Sequence, residues 1–139
     1  MSIDIQEFVM QGFIKDIEAL SLKNDTFRTV LYTAQHCQLV VMALVPGEDI
    51  GMEKHKLDQF FRIESGSGSA ILDGVTTSIK DGIAVIVPAG TEHNIVNTGE
   101  TVMKLYTLYA PPNHRDGTIH KTKAAAQSDT EHCDGVTTE

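Results

Sequence analysis

The residues of this chain best suited to chemistry are four polar side chains in its central third. Glu53 and His55 stand two positions apart, Gln59 follows four residues later, and His93 is isolated. In a strand, Glu53 and His55 would point to the same face, and Gln59 would begin the next strand after a short turn. Carboxylates and imidazoles are good ligands for divalent ions, and an amide oxygen is a weaker one. Singly, each residue is more often a solvated or hydrogen-bonded side chain than a ligand.

The elements around these residues have the pattern of short strands separated by turns. The candidate strands are 27–32, 39–45, 59–63, 70–72, 75–79, 83–87 and 102–109. Asp73-Gly74 is the strongest hairpin signal in the chain. The turn Pro88-Ala89-Gly90 can re-aim the chain just before His93. Strands of this length, with regular turns and hardly any helical periodicity, predict an all-β sandwich, barrel or jelly roll.

The two ends of the chain differ from this centre. We expect an N-terminal arm or edge segment over 1–25, a barrel over 26–112 and a C-terminal tail over 113–139. The arm could form one helical turn or an irregular edge. In the polar tail, 121–127 could form a short helix, and 128–139 resembles a disordered end without chemistry. Four histidines fall in predicted loops or in the tail and are interpreted as surface residues: His36, His114, His120 and His132.

Length and charge restrict the class of protein. A chain of 139 residues suits one domain, and a net charge of −8 would repel nucleic acid and anionic membranes. The chain has no apolar run of membrane-spanning length, and Met1 to Met10 lack the basic start of a signal peptide. The two cysteines, Cys37 and Cys133, are expected to be reduced thiols. We therefore predict a cytoplasmic protein whose partner is a small molecule, with neither nucleic acid nor membrane as a partner.

Two spacings in the central third resemble the motifs of a known family, the cupins. The first motif is matched in register by Gly47, Glu53, His55, Gln59 and Gly66, and the second by Gly82, Pro88, Gly90, His93 and Asn97. The resemblance is to small single-domain bacterial cupins. It implies a double-stranded β-helix, that is a jelly-roll barrel, which holds one divalent metal ion through Glu53, His55, Gln59 and His93. It also implies a homodimer.

The ligand set departs from the usual one of the family at two positions. The first motif usually carries His, His and Glu, whereas this chain has Glu53, His55 and Gln59. The net ligand charge is unchanged, but half of the donors are now oxygens, which favours Mn or Fe(II); Zn also fits, and Ni is a further candidate. Three other side chains are expected to line the pocket, although plain core packing is an alternative for each: Phe61, Tyr106 and Met42.

A metal-dependent enzyme acting on a small polar metabolite is the leading functional hypothesis. A Lewis-acid centre suits both an isomerase of sugar-like carbonyl compounds and a dioxygenase, and the fold alone does not choose between them. The alternatives are a non-catalytic binding or sensor module for a sugar-like molecule and a barrel with a degenerate pocket. Other chemistries have no support, because the chain has no Ser-His-Asp pattern, phosphate-binding glycine loop or CxxC pair.

Overall fold

The structure, a computed structural model, describes residues 9–139 and shows nine strands and two short helices within them. The strands are β1 (Arg28–Thr33), β2 (Gln38–Leu44), β3 (Asp58–Ser65), β4 (Ser67–Leu72), β5 (Val75–Lys80), β6 (Ala84–Val87), β7 (His93–Val96), β8 (Met103–Ala110) and β9 (Ile119–His120). The helices are α1 (Ile17–Lys23) and α2 (Lys123–Ser128). The expectations for the start of the arm, 1–8, lie outside the described residues.

The strands form two antiparallel sheets that enclose one apolar core. Six strands lie in the order β6-β3-β8-β2-β1-β9, and three lie in the order β5-β4-β7. In β3 and β8 every second side chain is buried, which is the alternation of a sheet with one face on the core. The inner faces supply the largest buried apolar side chains, among them Phe61, Met42, Leu44, Ile63, Ile95 and Leu105. The predicted all-β jelly-roll barrel is confirmed.

The hairpin predicted at Asp73-Gly74 is present. Both residues have positive φ, +44° and +81°, and Leu72 pairs with Val75 across the turn. Two positive φ angles are the signature of the type I′ turn, whose twist matches that of the flanking strands. This turn joins β4 to β5, and β4 pairs on its other side with β7, the strand that His93 begins.

The arm is helical where the sequence left two alternatives. Asp16 caps α1 by accepting a hydrogen bond from the Ala19 N–H at 3.0 Å. Lys104 on β8 donates a hydrogen bond to the carbonyl of Asn24, the residue that caps the C-terminus of the helix. The helix is therefore attached to the outer face of the six-stranded sheet. Within residues 9–139, no helix has the length and the apolar character that a bilayer span requires.

The C-terminal tail packs against the barrel. Its short helix α2 was predicted, but the prediction of a disordered end over 128–139 is wrong. The Cys133 N–H donates to the Asn113 carbonyl at 3.0 Å, and the Thr138 N–H donates to the Thr33 carbonyl at 2.9 Å. These contacts join the tail to residues far away in sequence, which polar composition does not reveal.

Two of the four histidines assigned to the surface are buried. His114 is 8% exposed and His120 is 4% exposed, so the prediction is wrong for both, whereas His36 and His132 are exposed as expected. His120 belongs to β9, which pairs with β1 and was not predicted. Because these imidazoles are buried, the part of the tail that carries them belongs to the barrel interior and is not a solvated end.

Gln38 is the residue that attaches the start of the tail to the barrel. Its side chain is fully buried, and its Oε1 accepts from the backbone N–H groups of Asn113 and His114 at 3.1 and 2.9 Å. Its Nε2 donates to Thr33 Oγ1 at 2.9 Å and to the His114 carbonyl at 2.7 Å. The Gln38 amide thus forms four hydrogen bonds and holds His114 just beyond the end of β8.

Replacing Gln38 by Ala should lower the free energy of unfolding by roughly 3 kcal/mol, because buried N–H and C=O groups lose their partners and a cavity is left. Urea denaturation with a fluorescence or circular-dichroism readout measures the change. The exposed Gln35→Ala is the matched control and should stay within about 0.5 kcal/mol of the parent protein. Equal stability of the two variants would contradict the assigned role of Gln38.

Candidate metal centre

A reciprocal pair of backbone hydrogen bonds joins the two halves of the site at the proposed ligands. The Glu53 N–H donates to the His93 carbonyl and the His93 N–H donates to the Glu53 carbonyl, both at 2.8 Å. The Gly90 N–H also donates to the His55 carbonyl, at 2.7 Å. The segment 53–55 is not a strand, as the sequence analysis had supposed, but an irregular stretch with one bridge. That bridge still places the two sequence motifs face to face.

Three of the proposed ligands form a compact group. One ligand atom each from Glu53, His55 and His93 lies within 4.8 Å of the other two. Glu53 Oε2 is 2.8 Å from His55 Nε2, and the centroids of the two imidazole rings are 5.4 Å apart. A carboxylate and two imidazoles at this separation match the donor set that divalent transition ions prefer.

Gln59, the fourth proposed ligand, is 2% exposed and points at His93 from β3. Its Nε2 donates to Thr107 Oγ1 at 3.0 Å, which turns Oε1 towards His93 Nε2 at 3.1 Å. His93 Nδ1 donates to the Thr91 carbonyl at 2.9 Å, so a neutral ring presents a lone pair at Nε2. Two acceptor atoms then face each other, and a cation between them would satisfy both. The residues present therefore fit a metal ion.

The electrostatics of the group favour the ligating form of its carboxylate. Burial raises the pKa of Glu53, but the hydrogen bond from His55 and the nearby charge of Arg28 outweigh burial, so the pKa lies below its ordinary value. Metal ligands must bind in their deprotonated form, and an ionised Glu53 meets that requirement at neutral pH. The neighbouring polar groups thus keep the Glu53 carboxylate in the ionised form that could bind an ion.

A tyrosine, a histidine and a glutamate form a chain of hydrogen bonds that ends beside the metal ligands. Tyr109 Oη is 3.2 Å from His114 Nε2, and His114 Nδ1 is 2.6 Å from Glu131 Oε1. The Tyr109 ring meets the His55 ring edge-on, with centroids 6.2 Å apart. A carboxylate that orients an imidazole, which in turn contacts a hydroxyl, is the arrangement of a proton relay. Sequence reasoning missed all three relay residues.

Burial sets the protonation states along this relay. It raises the pKa of Tyr109 to about 12, so the phenol keeps its proton at neutral pH. Burial, aided by the charge of Arg28, lowers the pKa of His114 to about 4, although Glu131 opposes the shift. A neutral His114 donates through Nδ1 to Glu131 and accepts through Nε2 from the Tyr109 hydroxyl, which is the pattern that the distances require.

The expected pocket-lining residues occupy three different places. Phe61 is buried beside the site, its ring centroid 6.2 Å from that of His93. Met42 is fully buried in the apolar core. The assignment of Tyr106 to the pocket is wrong, because its side chain lies on the outer face of β8 and packs on Phe60 at 6.1 Å between ring centroids. The phenol that faces the ligands belongs to Tyr109.

A cavity of about 250 Å³ opens beside this group. It lies between the start of β1 and the tail, and Glu53 and His114 form part of its wall. The remaining lining residues are Phe27, Arg28, Ile50, Lys123, Ala126, Gln127, Asp129 and Glu131. The site is therefore reached through a space that the tail itself helps to enclose.

Comparison with known proteins gives the family of this fold and site. Residues 40–109 match the model of the cupin domain, and this match covers half of the chain. The chain is also 44% identical to Uncharacterized protein YrkC of Bacillus subtilis, over 88% of this chain and 69% of that protein. The chain therefore belongs to the cupin family, as the two motifs predicted.

Solved structures agree with this assignment. The crystal structure of BH2720 from Bacillus halodurans superposes with a TM-score of 0.84 at 41% identity, covering 86% of this chain and 96% of that one. An RmlC-like cupin from Shewanella frigidimarina superposes with a TM-score of 0.56 at 21% identity, covering 60% and 74% of the two chains. The second likeness shows the fold alone.

The depressed pKa of His114 predicts an acid-sensitive fold. An unfolded imidazole binds a proton near pH 6.5, whereas the folded one does so only near pH 4. The unfolded state therefore holds more protons between these values, and the free energy of unfolding should fall as the pH drops from 6.5 to 4, by roughly 3 kcal/mol. Urea denaturation of the metal-free protein at several pH values measures this slope.

The origin of the slope is tested by two histidine variants. His114→Gln should flatten the pH dependence between 6.5 and 4, because the buried titrating ring is removed. His36→Gln removes an exposed ring and should leave the slope of the parent protein unchanged. A slope that persists in His114→Gln would show that another group carries the acid sensitivity.

Proposed function

We propose that this cupin is a metal-dependent enzyme that moves protons on a small polar carbonyl compound. Glu53, His55, Gln59 and His93 hold the divalent ion. The observation that carries the proposal is the pairing of two systems in one barrel: a compact group of metal-binding side chains and, beside it, the Tyr109–His114–Glu131 relay. A module that only binds a ligand has no need of a buried proton relay.

The donor set favours certain ions and one kind of chemistry. Two imidazole nitrogens, a carboxylate oxygen and an amide oxygen suit Mn, Fe(II) or Zn. When bound, such an ion supplies Lewis-acid polarisation of a carbonyl or enediol oxygen. The second motif holds His93 through its backbone bridge, and Thr107 orients Gln59, so the protein maintains the donor geometry by contacts outside the donor set.

The relay accounts for the proton movement. Tyr109 carries its proton at neutral pH and can give it to a substrate oxygen or receive one from it. When Tyr109 Oη takes a proton from a substrate oxygen, its own proton passes in the same step to His114 Nε2, so the phenol stays neutral and the Glu131 carboxylate stabilises the resulting imidazolium. Tyr109 is 1% exposed and shielded from bulk water, whereas His114 and Glu131 line the cavity. The relay favours the isomerase type of reaction over the dioxygenase type.

The metal centre is tested by removing one imidazole. His93→Ala should lose the ion, because one of four donors and the acceptor pair with Gln59 disappear; even loss of a residue that only supports a ligand weakens metal binding by about 10–100-fold. Elemental analysis after dialysis against Mn²⁺ or Zn²⁺ measures the bound metal per chain. His36→Ala, an exposed histidine, should retain the parent content. Full metal content in His93→Ala would refute the assigned site.

The relay is tested with a matched pair of tyrosines. Tyr109→Phe should lower the rate of proton exchange by about 10²–10⁴-fold while the metal content stays the same. Tyr106→Phe changes the same side chain on the outer face of β8 and should leave the rate unchanged. NMR measurement of deuterium uptake from D₂O into dihydroxyacetone and pyruvate gives the rate for the metal-loaded protein.

The result also distinguishes the alternative functions. Oxygen consumption with these compounds, without proton exchange, would favour the dioxygenase type. Tight metal binding with neither exchange nor oxygen consumption in any variant would favour a binding module. Exchange that is equally fast in Tyr109→Phe and in the parent would remove the relay from the mechanism.

A further inference from the structure

Arg28 is a buried cation at the edge of the proposed metal centre. It begins β1, it is 6% exposed, and it lines the same cavity as Glu53 and His114. Its charge acts on Glu53, Tyr109 and His114, which places the guanidinium close to both the ligands and the relay.

The guanidinium of Arg28 lacks a carboxylate partner. Among residues 9–139, no side-chain carboxylate oxygen lies within 4 Å of it, and its Nε has no hydrogen-bond partner. Its Nη1 is 3.0 Å from His120 Nδ1, its face covers the Phe27 ring, and the Tyr109 hydroxyl lies nearby. A buried guanidinium with unused donors is costly to maintain unless an anion completes its surroundings.

The acidic groups of the cavity have partners of their own. Glu131 accepts from His114 and from the Arg115 N–H at 2.7 Å, and Asp129 is 3.0 Å from His120 Nε2. Lys123, the other cation of the cavity wall, forms an ion pair with Asp49. Arg28 is thus the cation of the cavity that no carboxylate of the described chain neutralises.

His120 holds the guanidinium in position. Because arginine can only donate, His120 Nδ1 is the acceptor, and its Nε2 must carry the proton that it donates to Asp129. The pairing of β9 with β1 sets His120 directly opposite Arg28. The tail therefore orients Arg28 through an imidazole that occupies Nη1, while the arginine still forms part of the cavity wall.

We propose that Arg28 binds the carboxylate of the substrate, and that the substrate is a small 2-oxo or 2-hydroxy monocarboxylate. This inference rests on the proposed function, because the oxygen next to the carboxylate would meet the metal ion. A guanidinium recognises a carboxylate through two parallel N–H donors, which gives direction as well as attraction. The subsite lies on β1, outside both cupin motifs.

The volume of the cavity and the charges on its wall narrow the class of substrate further. A cavity of about 250 Å³ is below the roughly 300–1,000 Å³ of pockets for drug-sized ligands, so a compact metabolite fits. Asp129 and Glu131 stand at the cavity wall and disfavour a second negative charge. A monoanion with a neutral oxygen beside its carboxylate meets both conditions.

The test compares pyruvate with pyruvamide, which keeps the carbonyl but lacks the charge. Isothermal titration of Mn²⁺-loaded protein should show pyruvate binding at least about 10-fold more tightly than pyruvamide. Arg28→Met should abolish this preference and leave the pyruvamide affinity unchanged, and Arg28→Lys should restore part of it. Lys121→Met removes an exposed cation of the tail and should keep the parent preference. Thermal melting of each variant confirms that it folds.

The outcomes separate this inference from the metal centre. Normal Mn²⁺ binding with equal affinities for the two probes would overturn the carboxylate subsite alone. A preference that survives in Arg28→Met would overturn it as well, because another cation would then be responsible. If the protein binds no Mn²⁺, the proposed function fails, and the titration is repeated on metal-free protein. There, pyruvate binding that Arg28→Met removes supports the subsite, and an absence of pyruvate binding overturns it.

Discussion

The reciprocal backbone hydrogen bonds between Glu53 and His93 are the constraint on which the whole site depends. They join two residues 40 positions apart in sequence and so bring a carboxylate and an imidazole close together. The alternation of β3 adds Gln59 from a third direction. Backbone hydrogen bonds on either side of the bridge, from the Gly90 N–H to the His55 carbonyl and from the Ile50 N–H to the Ile95 carbonyl, keep the two segments aligned. The positions of the proposed ligands therefore depend on the same backbone contacts that hold the barrel together.

The C-terminal tail also contributes side chains to the site. Polar side chains placed inside a barrel are costly unless each finds a partner, and here the tail supplies the partners. Gln38 binds the start of the tail, His114 contacts Tyr109, and His120 contacts Arg28. Each of the two histidines is in turn held by a carboxylate of the tail. The tail thereby adds the hydrogen-bonded chain Tyr109–His114–Glu131 and an oriented cation to the barrel.

Family membership defines the fold and the expected position of the ligands, but the reaction depends on this particular chain. Cupins support many reactions, so fold alone carries little information about substrate. The relay and Arg28 lie outside the two motifs, on β8, on the tail and on β1. These positions bring a protonated phenol and a buried guanidinium close to the candidate metal-binding group, and Arg28, Glu53 and His114 line one small cavity. That combination, more than the metal ligands alone, points to a charged carbonyl compound as the substrate.

The sequence by itself determined seven of the nine strands, the Asp73-Gly74 hairpin and the motif spacing, since these follow from local patterns; the short strands β7 and β9 were not predicted. Only the tertiary structure decided which side chains share the interior. Tyr106 and Tyr109 lie on one predicted strand, and the face of each depends on its pairing, although Lys104 on the face of Tyr106 was a hint that this face is outside. The burial of His114 could not be predicted either, because its partners come from β2, β8 and the tail. Contacts between residues so distant in sequence produce no periodic pattern from which they could be predicted.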